Sequence, residues 1–178
     1  PTYHPVRVAE QIVGIDHLVD GKSRWGLSLG YRESELVNFG VDMDDRVGRY
    51  MEGVHIIKKL LEGERFDFDG DHFSFEDAFV SPEPIADPRP PLFGGGSAEI
   101  AIKRAAYRTD GFTAAVTVPE QLEADITLYK QSVEEAGKDP ADADVAIMVD
   151  GYVAETEEAA YDALDPYMLD LHEKYISW

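Results

Sequence analysis

Three consecutive glycines and a serine stand between a short apolar run and an alanine-rich stretch in PPLFGGGSAEIAIKRAAYRTDGF, residues 90–112: Gly94, Gly95, Gly96 and Ser97. The pattern predicts a strand at Leu92–Phe93, a glycine turn, and a helix from Ala98 to Arg108. The first N–H groups of a helix have no partner inside it, and glycine lets an anion approach them without meeting a Cβ. Ser97 either caps the helix or turns its hydroxyl to that anion. We therefore predict a phosphate site; the alternative is a turn that needs glycine only for its own backbone.

Two other phosphate motifs do not fit this glycine run. Glu99 stands where the dinucleotide fingerprint requires glycine or alanine, so a Rossmann site for NAD is disfavoured. No Gly-Lys-Ser/Thr sequence follows the glycines, which excludes a Walker A loop.

A second glycine position ends an earlier strand, predicted over residues 23–30. Because active sites of parallel α/β proteins lie at the carboxyl ends of the strands, Gly30 and Gly94 are expected at the same edge of the sheet. Two glycine-lined strand ends favour a flat or phosphorylated ligand over a metal. Glu33 and Glu35 follow this strand closely and are further candidates to face the ligand.

Other groups of chemically active side chains are sparse. No two of the five histidines lie at metal-ligand spacing, and His55 is predicted to be a packed or surface residue. The chain contains no cysteine, which excludes thiolate nucleophiles and zinc–thiolate sites. Arg46, Arg49 and Glu52 are predicted to form a structural set of ion pairs on their helix. No metal site is predicted.

The elements that position these residues alternate between strand and helix. Helices are predicted over residues 5–18, from Asp44 as the cap to Leu61, from Pro119 to Gly137, and after Thr156 with a break at Pro166. Further strands are predicted at residues 111–116 and 145–153, a hairpin at 65–77, and a loop at 31–43. This alternation predicts the α/β class with a parallel sheet. Four strand–helix units are half of those in an eightfold barrel, so the chain is either a small open sheet or half of a barrel.

The charge of the chain limits its partners. The 178 residues carry 16 Lys and Arg against 36 Asp and Glu, a net charge of −20, so we expect no nucleic-acid partner. Only seven of the 16 cations are lysine, and 44% of the residues are hydrophobic, which favours a folded, salt-adapted (halophilic) protein over a disordered one. No apolar run is long enough for a membrane span and no signal peptide is recognised, so a cytoplasmic location without membrane association is expected.

A family is recognisable from the order of several segments: HPVRVAEQI, IDHLVDGKSRWGLSLGY, FGVDMDDR, RYMEGVHIIKKLLEGERFDFDGDHFSF, PRPPLFGGGS and AAYRTDGF. Together they resemble the bacterial luciferase-like superfamily of flavin-dependent oxidoreductases. The resemblance runs from about His4 to Phe112 and weakens toward Ala154. Each segment is weakly specific alone, whereas their order and spacing are specific.

The resemblance implies a (β/α)₈ TIM barrel that binds FMN or coenzyme F-420 at its C-terminal face. It implies that Gly94 to Ser97 hold the cofactor phosphate, and that the end of the earlier strand, with Ser28, Gly30 and Tyr31, faces the cofactor. Leu29 replaces an arginine of some FMN-using members, which favours F-420 or a differently bound FMN. Residues 1–178 are expected to form one partial barrel domain, lacking the first strands and the last unit or units. The catalytic residues are expected in that absent N-terminal part and are not assigned.

The expected function is therefore that of a luciferase-like oxidoreductase or monooxygenase, transferring hydride or activating oxygen on an unidentified small organic substrate. A homo-oligomer is expected, because an exposed parallel edge invites association. Two alternatives stay open. One is a catalytically inactive partial barrel that binds a cofactor or serves a structural role; the other is a small open-sheet protein that binds another phosphorylated metabolite.

Overall fold

The computed structural model describes residues 1–115, 117–149 and 151–177 of the chain. It divides into two compact units, Pro1–Met148 and Val149–Trp178. The strands are β1 (Trp25–Leu27), β2 (Phe66–Asp69), β3 (Ser74–Ala78), β4 (Leu92–Gly95), β5 (Gly111–Ala114) and β6 (Asp144–Ile147). The α-helices are α1 (Pro5–Leu18), α2 (Glu33–Asn38), α3 (Arg46–Leu61), α4 (Glu99–Arg108), α5 (Pro119–Glu135) and α6 (Glu157–Ser177), with a 3-10 turn at Pro140–Asp142. None of these helices is both long and apolar enough to span a membrane.

The first unit is built on a sheet of four strands in the order β1-β4-β5-β6, all parallel. One row of the register runs from Gly26 through Phe93 and Gly111 to Asp144. Helices connect the parallel strands, as the alternation in the sequence predicted, and the α/β class is confirmed. β2 and β3 form a separate antiparallel hairpin, also as predicted.

One face of this sheet packs against helices. Buried side chains of α1, α3, β4 and the hairpin form one cluster, and those of α4, α5 and β5 form a second. Leu92 of β4 belongs to the first cluster, whereas Phe112 of β5 and the partly buried Val145 of β6 pack in the second. Because side chains alternate along a strand, Gly26, Phe93 and Thr113 face the opposite side.

That opposite face is concave. Arg24, just before β1, donates a hydrogen bond to Asp144 at the start of β6, and its guanidinium lies 5.7 Å from the ring centroid of Phe93. The outer strands of a flat four-stranded sheet are about 14 Å apart, beyond the reach of such a pair. Strong curvature therefore brings the two outer strands together across the face.

The hairpin is held on α3 by one carboxylate. Glu52 accepts hydrogen bonds from the backbone N–H groups of Asp71, His72 and Phe73 at 2.9–3.1 Å. The predicted ion-pair set on this helix is therefore wrong. Arg49 instead lies 4.7 Å from the ring centroid of Phe73 and donates from Nε to the carbonyl of Pro1.

Several predicted boundaries also differ. The predicted loop at 31–43 contains α2. Of the predicted strand at 145–153, the described residues form a strand only over Asp144–Ile147, and residue 150 lies outside the described residues. Asp44 does not cap α3, because Asp45 is at the N-cap and the carboxylate of Asp42 accepts the Asp44 N–H in the preceding turn.

In the second unit, α6 continues through Pro166, contrary to the predicted break. Pro166 and Asp162, whose carbonyl loses its helical partner there, are both exposed, so water can satisfy that carbonyl. Thr156 caps this helix by accepting the N–H of Ala159 at 3.2 Å.

A charged cluster ties the amino ends of β4 and β5 to the helices. Arg89, whose side chain is 9% exposed, donates two hydrogen bonds to Asp110 and one to Glu62. Asp110 also accepts the N–H of Leu92 at 2.8 Å. Burial by itself raises the pKa of Asp110, but the hydrogen bonds from Arg89 and Leu92 outweigh it and hold that pKa below its ordinary value. This cluster stabilises the edge of the sheet opposite to the ligand edge of parallel α/β proteins.

We expect the Asp110→Asn substitution to destabilise the fold by about 2–4 kcal/mol, because it leaves the guanidinium of Arg89 buried without its main partner. The folded-state pKa of Asp110 is lowered, so its stabilisation is present above the pKa of the unfolded carboxyl and is lost as pH falls through the folded value. Urea unfolding at neutral and acid pH measures both effects. Glu10→Gln, in an exposed pair with Arg7, is the control and should change stability by at most about 0.5 kcal/mol. Equal effects of the two substitutions would contradict this role of Asp110.

Candidate functional site

The carboxyl edge of the sheet brings the two predicted glycine positions together. Leu27 of β1 pairs with Gly94 of β4, so Ser28, the next residue, lies beside Gly95. Gly95 in turn pairs with Thr113 of β5. Gly30 and Gly96 lie in the segments that follow β1 and β4, at this same edge of the sheet. The side chains on the concave face here are small, which leaves room for a flat or phosphorylated group.

The three consecutive glycines occupy different structural environments. Gly94 and Gly95 lie within β4, and only Gly96 lies in the turn, contrary to the prediction that all three form the turn. A Cβ on Gly94 would come within 2.9 Å of the Ala105 Cβ and 3.1 Å of the Thr109 Oγ1, so glycine is required there by the close packing of α4. The buried Gly94 N–H already donates to Thr109 Oγ1 at 3.0 Å. Protein atoms therefore fill the space around Gly94. The residues that stay candidates for binding the phosphate are Gly95, Gly96 and Ser97.

The remaining two glycines are less enclosed. A Cβ on Gly95 would meet only ordinary contacts, 3.4 Å from the Thr113 carbonyl oxygen and 3.7 Å from its Cβ. Gly96 has φ +135°, a conformation that favours glycine, and a Cβ there would approach the Ala101 Cβ at 2.8 Å. Gly95 is thus the glycine for which packing gives no reason.

The amino end of α4 follows directly after this turn. Ala98 is the N-cap residue and no side chain caps this helix, so of the two alternatives for Ser97 the structure does not show the capping one. Ser97 is exposed, and the first N–H groups of a ten-residue helix point toward the same edge. One acidic group is close: Glu99, in the first turn, binds Lys103 at 2.6 Å, and this hydrogen bond lowers the pKa of Glu99.

A cavity of about 530 Å³ lies along the outer edge of β1. Ser28 and Gly30 line it, together with the predicted candidate Glu35, which accepts a hydrogen bond from Arg32 at 2.6 Å. Tyr31 is 53% exposed and its ring lies 5.8 Å from the guanidinium of Arg32.

Two cavity residues were not identified from the sequence as site residues. Tyr50 donates from its hydroxyl to the Leu27 carbonyl at 3.3 Å, and burial raises the pKa of this hydroxyl although Arg104 opposes the shift. Arg49 lines the same cavity. The sequence pattern indicated only that Tyr50 lies on the apolar side of α3 and that Arg49 is the residue before it.

Histidine and carboxylate chemistry is limited in the described part of the chain, where no group of three or more His, Asp or Glu side chains is arranged to hold a metal ion. His4 packs edge-on against Phe73 at 5.4 Å, and His17 lies 2.8 Å from the carbonyl oxygen of Glu83. His55 is exposed, and its ring centroid lies 6.1 Å from that of Phe68. This agrees with the prediction that His55 is a packed or surface residue.

The family profile for luciferase-like monooxygenases matches residues 1–177. The chain belongs to this family. The recognition made from the order of the sequence segments is confirmed, and with it the flavin-dependent oxidoreductase class of its relatives.

Solved structures of similar proteins agree with this assignment. A monooxygenase from Streptomyces bottropensis superimposes with a TM-score of 0.85 at 21% identity, over 98% of this luciferase-like chain and 54% of that one. An F-420-dependent secondary alcohol dehydrogenase, in complex with an F-420–acetone adduct, gives 0.78 at 25% identity, over 91% and 50%. The F-420-dependent tetrahydromethanopterin reductase of Methanopyrus kandleri gives 0.74 at 20% identity, over 90% and 50%.

These neighbours are TIM-barrel enzymes, which confirms the predicted fold class, and the luciferase-like chain spans about half of their length. Two of them depend on F-420, and a further neighbour, a riboflavin lyase, contains a modified FMN. The expected pair of cofactors, FMN or F-420, is therefore the pair found among the relatives.

The residues at the carboxyl edge fit a phosphate group. The helix end has no side-chain cap, Ser97 is exposed beside it, and the concave face at Gly95 has space for a Cβ-sized group. Backbone N–H groups around Gly96 and the first turn of α4 are the donors available to hold it.

We expect Gly94→Ala to destabilise the fold by about 1–3 kcal/mol, since its methyl group overlaps Ala105 on α4. Gly95→Ala should cost less than about 1 kcal/mol, because its methyl group makes only ordinary contacts. Thermal or urea unfolding of the two variants measures the difference. If both variants lose the same stability, the distinction between a packing glycine and a ligand glycine fails.

Proposed function

We propose that the luciferase-like chain binds the phosphate of FMN or coenzyme F-420 at Gly95, Gly96, Ser97 and the first turn of α4. We propose further that it functions in an oxidoreductase of this family. The observation that carries the proposal is the amino end of α4, which has no side-chain cap and lies at the carboxyl edge of a parallel sheet, separated from Gly96 only by Ser97 and Ala98. A dianion there meets backbone donors and the positive end of the helix dipole.

The rest of the cofactor has a place beside this phosphate position. From Gly95 the concave face continues to Ser28 on one side and Thr113 on the other, and each is small. Ser28, Gly30 and Tyr31 are the proposed contacts for the ribityl chain or the ring. The Ser28 hydroxyl can donate to a ribityl oxygen, and Gly30 has φ +73°, a conformation that favours glycine.

When bound, a flavin or deazaflavin supplies hydride transfer, and the flavin can also activate oxygen; the protein binds, orients and excludes water. In this chain the backbone of Gly96 and Ser97 fixes the phosphate end. Thr109 holds β4 against α4 by accepting the Gly94 N–H, which keeps that backbone in position. The substrate, a small organic molecule, and the group that moves its proton are not assigned to residues of this chain.

One carboxylate opposes the phosphate. Glu99 lies in the first turn of α4, and its charge is partly offset by Lys103 at 2.6 Å. It weakens the attraction for any anion at this helix end. The proposal therefore predicts that neutralising Glu99 strengthens binding, whereas a site elsewhere would not respond.

Two observations bear on the choice between the two cofactors. The neighbour with 25% identity carries F-420, and Leu29 stands where some FMN-using members carry arginine. Both favour F-420. We propose F-420 as the preferred cofactor and FMN as the alternative.

A second candidate function is cofactor binding without turnover. Among the described strand residues, the concave face carries one carboxylate, Asp144 at the amino end of β6, where it pairs with Arg24. Toward the carboxyl edge the same face carries Gly95, Thr113 and Ala146, and no histidine or carboxylate. Turnover with a reduced cofactor would exclude this candidate, and saturable binding without turnover would support it.

The decisive experiment is a fluorescence titration of the chain with F-420 and with FMN, in parallel and in molar potassium chloride. We expect saturable binding of F-420, and weaker or no binding of FMN. Saturable binding of a sugar phosphate or a nucleotide, without binding of either cofactor, would contradict the proposal and favour the open-sheet alternative.

Two variants test the position of the site. Gly95→Val should weaken cofactor binding at least about 100-fold, the loss expected when two charge-assisted hydrogen bonds are blocked. The fold should be retained, as circular dichroism checks. Gly14→Val is the control, because a Cβ on Gly14 in α1 meets nothing within 4 Å. If the Gly95 variant binds the cofactor with unchanged affinity, the glycine run has only a structural role.

Glu99→Gln should strengthen binding by roughly two- to tenfold, because it removes a like charge from the helix end that holds the phosphate. Glu120→Gln, in the first turn of α5, is the matched control and should leave affinity unchanged. An equal gain from both substitutions would indicate a response to net charge alone, and the phosphate would then not lie at α4.

A further inference from the structure

The side chain of Phe93 fills the middle of the concave face. Phe93 is only 3% exposed, although by the alternation along β4 it points away from the helices that cover the other face. In its row of the register it has a glycine on either side, Gly26 on β1 and Gly111 on β5. Neighbours without side chains leave room for the phenyl ring to spread over an adjacent strand.

The ring lies over Gly111. A Cβ on Gly111 would be 2.3 Å from Cε1 of Phe93, 2.6 Å from Cδ1 and 2.7 Å from Cζ, so a side chain there would displace the ring. The guanidinium of Arg24 lies 5.7 Å from the ring centroid and is hydrogen-bonded to Asp144. The ring is therefore packed against the backbone of β5, next to a charged pair that crosses the concave face.

The next row toward the carboxyl edge is built differently. It contains four small residues, one at each strand: Ser28, Gly95, Thr113 and Ala146. The outer two are exposed and the inner two are half-buried. Rows on one face of a sheet are about 6.7 Å apart along the strands, so a group bound over this second row rests on the side chains of the row below it. At the centre of the lower row, that side chain is Phe93.

We propose that Phe93 is the floor of the site for the cofactor ring and determines how deeply that ring enters the barrel. This inference rests on the proposed function, because it takes the cofactor phosphate to be held at Gly96 and the amino end of α4. The ring system then lies over the second row of small residues, with the phenyl ring below it. Aromatic rings in contact attract each other beyond the effect of their buried area.

The floor makes Phe93 a specificity-determining residue. Because its ring occupies the row below Gly95, a ligand cannot extend into the interior along β4, whereas a flat group above that row meets only small side chains of these four strands. Flavin and deazaflavin have a flat ring that can lie on Phe93. A sugar phosphate has no such ring, so it gains only the phosphate contacts.

The Phe93→Leu substitution tests this role, because it removes the aromatic face and keeps an apolar side chain. We expect it to weaken binding of F-420, and of FMN if FMN binds, roughly two- to tenfold, the range for loss of one aromatic contact. Affinity for inorganic phosphate, measured by competition with the cofactor, should not change. Fluorescence titration in molar potassium chloride gives both affinities.

Phe112→Leu is the matched control. Phe112 is fully buried on the adjacent strand, but its ring stacks on Tyr129 at the helical side of the sheet, with 5.2 Å between the centroids. The same chemical change there should lower stability in urea without changing the affinity for the cofactor or for phosphate.

Gly111→Ala tests the position of the ring. Its methyl group displaces the phenyl ring from β5 into the space above the floor, so we expect cofactor affinity to fall at least about fivefold, the lower limit for an overpacked contact. Combining it with Phe93→Leu should restore part of this affinity, because the shorter side chain leaves room for the methyl group.

The outcomes separate this inference from the proposed function. If the unaltered chain binds neither cofactor, the proposed function fails and the floor fails with it. If a cofactor binds and Phe93→Leu has no more effect on its affinity than Phe112→Leu, the ring of Phe93 serves packing alone and only the floor is overturned. An equal loss of phosphate and cofactor affinity in Phe93→Leu, or a double variant that binds no better than Gly111→Ala, would also overturn the floor.

Discussion

The close packing of α4 against β4 at Gly94 is the contact on which the rest of the candidate site depends. Ala105 lies directly over the glycine, and Thr109 accepts the Gly94 N–H while its hydroxyl hydrogen is within reach of the Ala105 and Gly111 carbonyls. A side chain at Gly94 would push the helix away from the sheet. Because the helix begins at Glu99, only five residues after Gly94, this contact fixes where its amino end lies.

Stability and ligand binding are separated along the strands. At the amino end of the sheet, charged groups satisfy the ends of strand and helix. They are the partly buried pair of Arg89 and Asp110 and the Lys138 amino group, which donates to the carbonyls of Ala106 and Thr109. At the carboxyl end the residues are small and the helix terminus has no side-chain cap. The amino end therefore stabilises the fold, and the carboxyl end leaves polar backbone groups available to a ligand, as expected for a parallel α/β protein.

Much of the fold was predictable from local patterns. The glycine run, the alanine-rich face of α4 and Pro119 at the start of α5 each specify an element by themselves, and the alternation of strand and helix specified the parallel sheet. What failed depended on contacts distant in sequence. Glu52 was assigned to neighbours on its own helix because the hairpin N–H groups that it binds lie about twenty residues further on.

The same limit applies to the site. The sequence located Gly95, Gly96 and Ser97 at a carboxyl edge and grouped them with Gly94, but only the position of Ala105 shows that Gly94 serves packing. Tyr50 and Arg49 were missed because nothing in a helical pattern indicates that they border the cavity beside β1. The cofactor class came from the family resemblance and not from any single residue.

The central claim is that the amino end of α4 holds the cofactor phosphate, and amide NMR of the isotopically labelled chain tests it most directly. Addition of F-420 in molar potassium chloride should shift the backbone amide signals of Gly96, Ser97, Glu99 and Ile100 first and most strongly, and inorganic phosphate should move the same signals more weakly. Saturable binding that shifts signals elsewhere, for example only around Arg49 and Tyr50 in the cavity beside β1, while leaving the amides of α4 unchanged, would contradict the account.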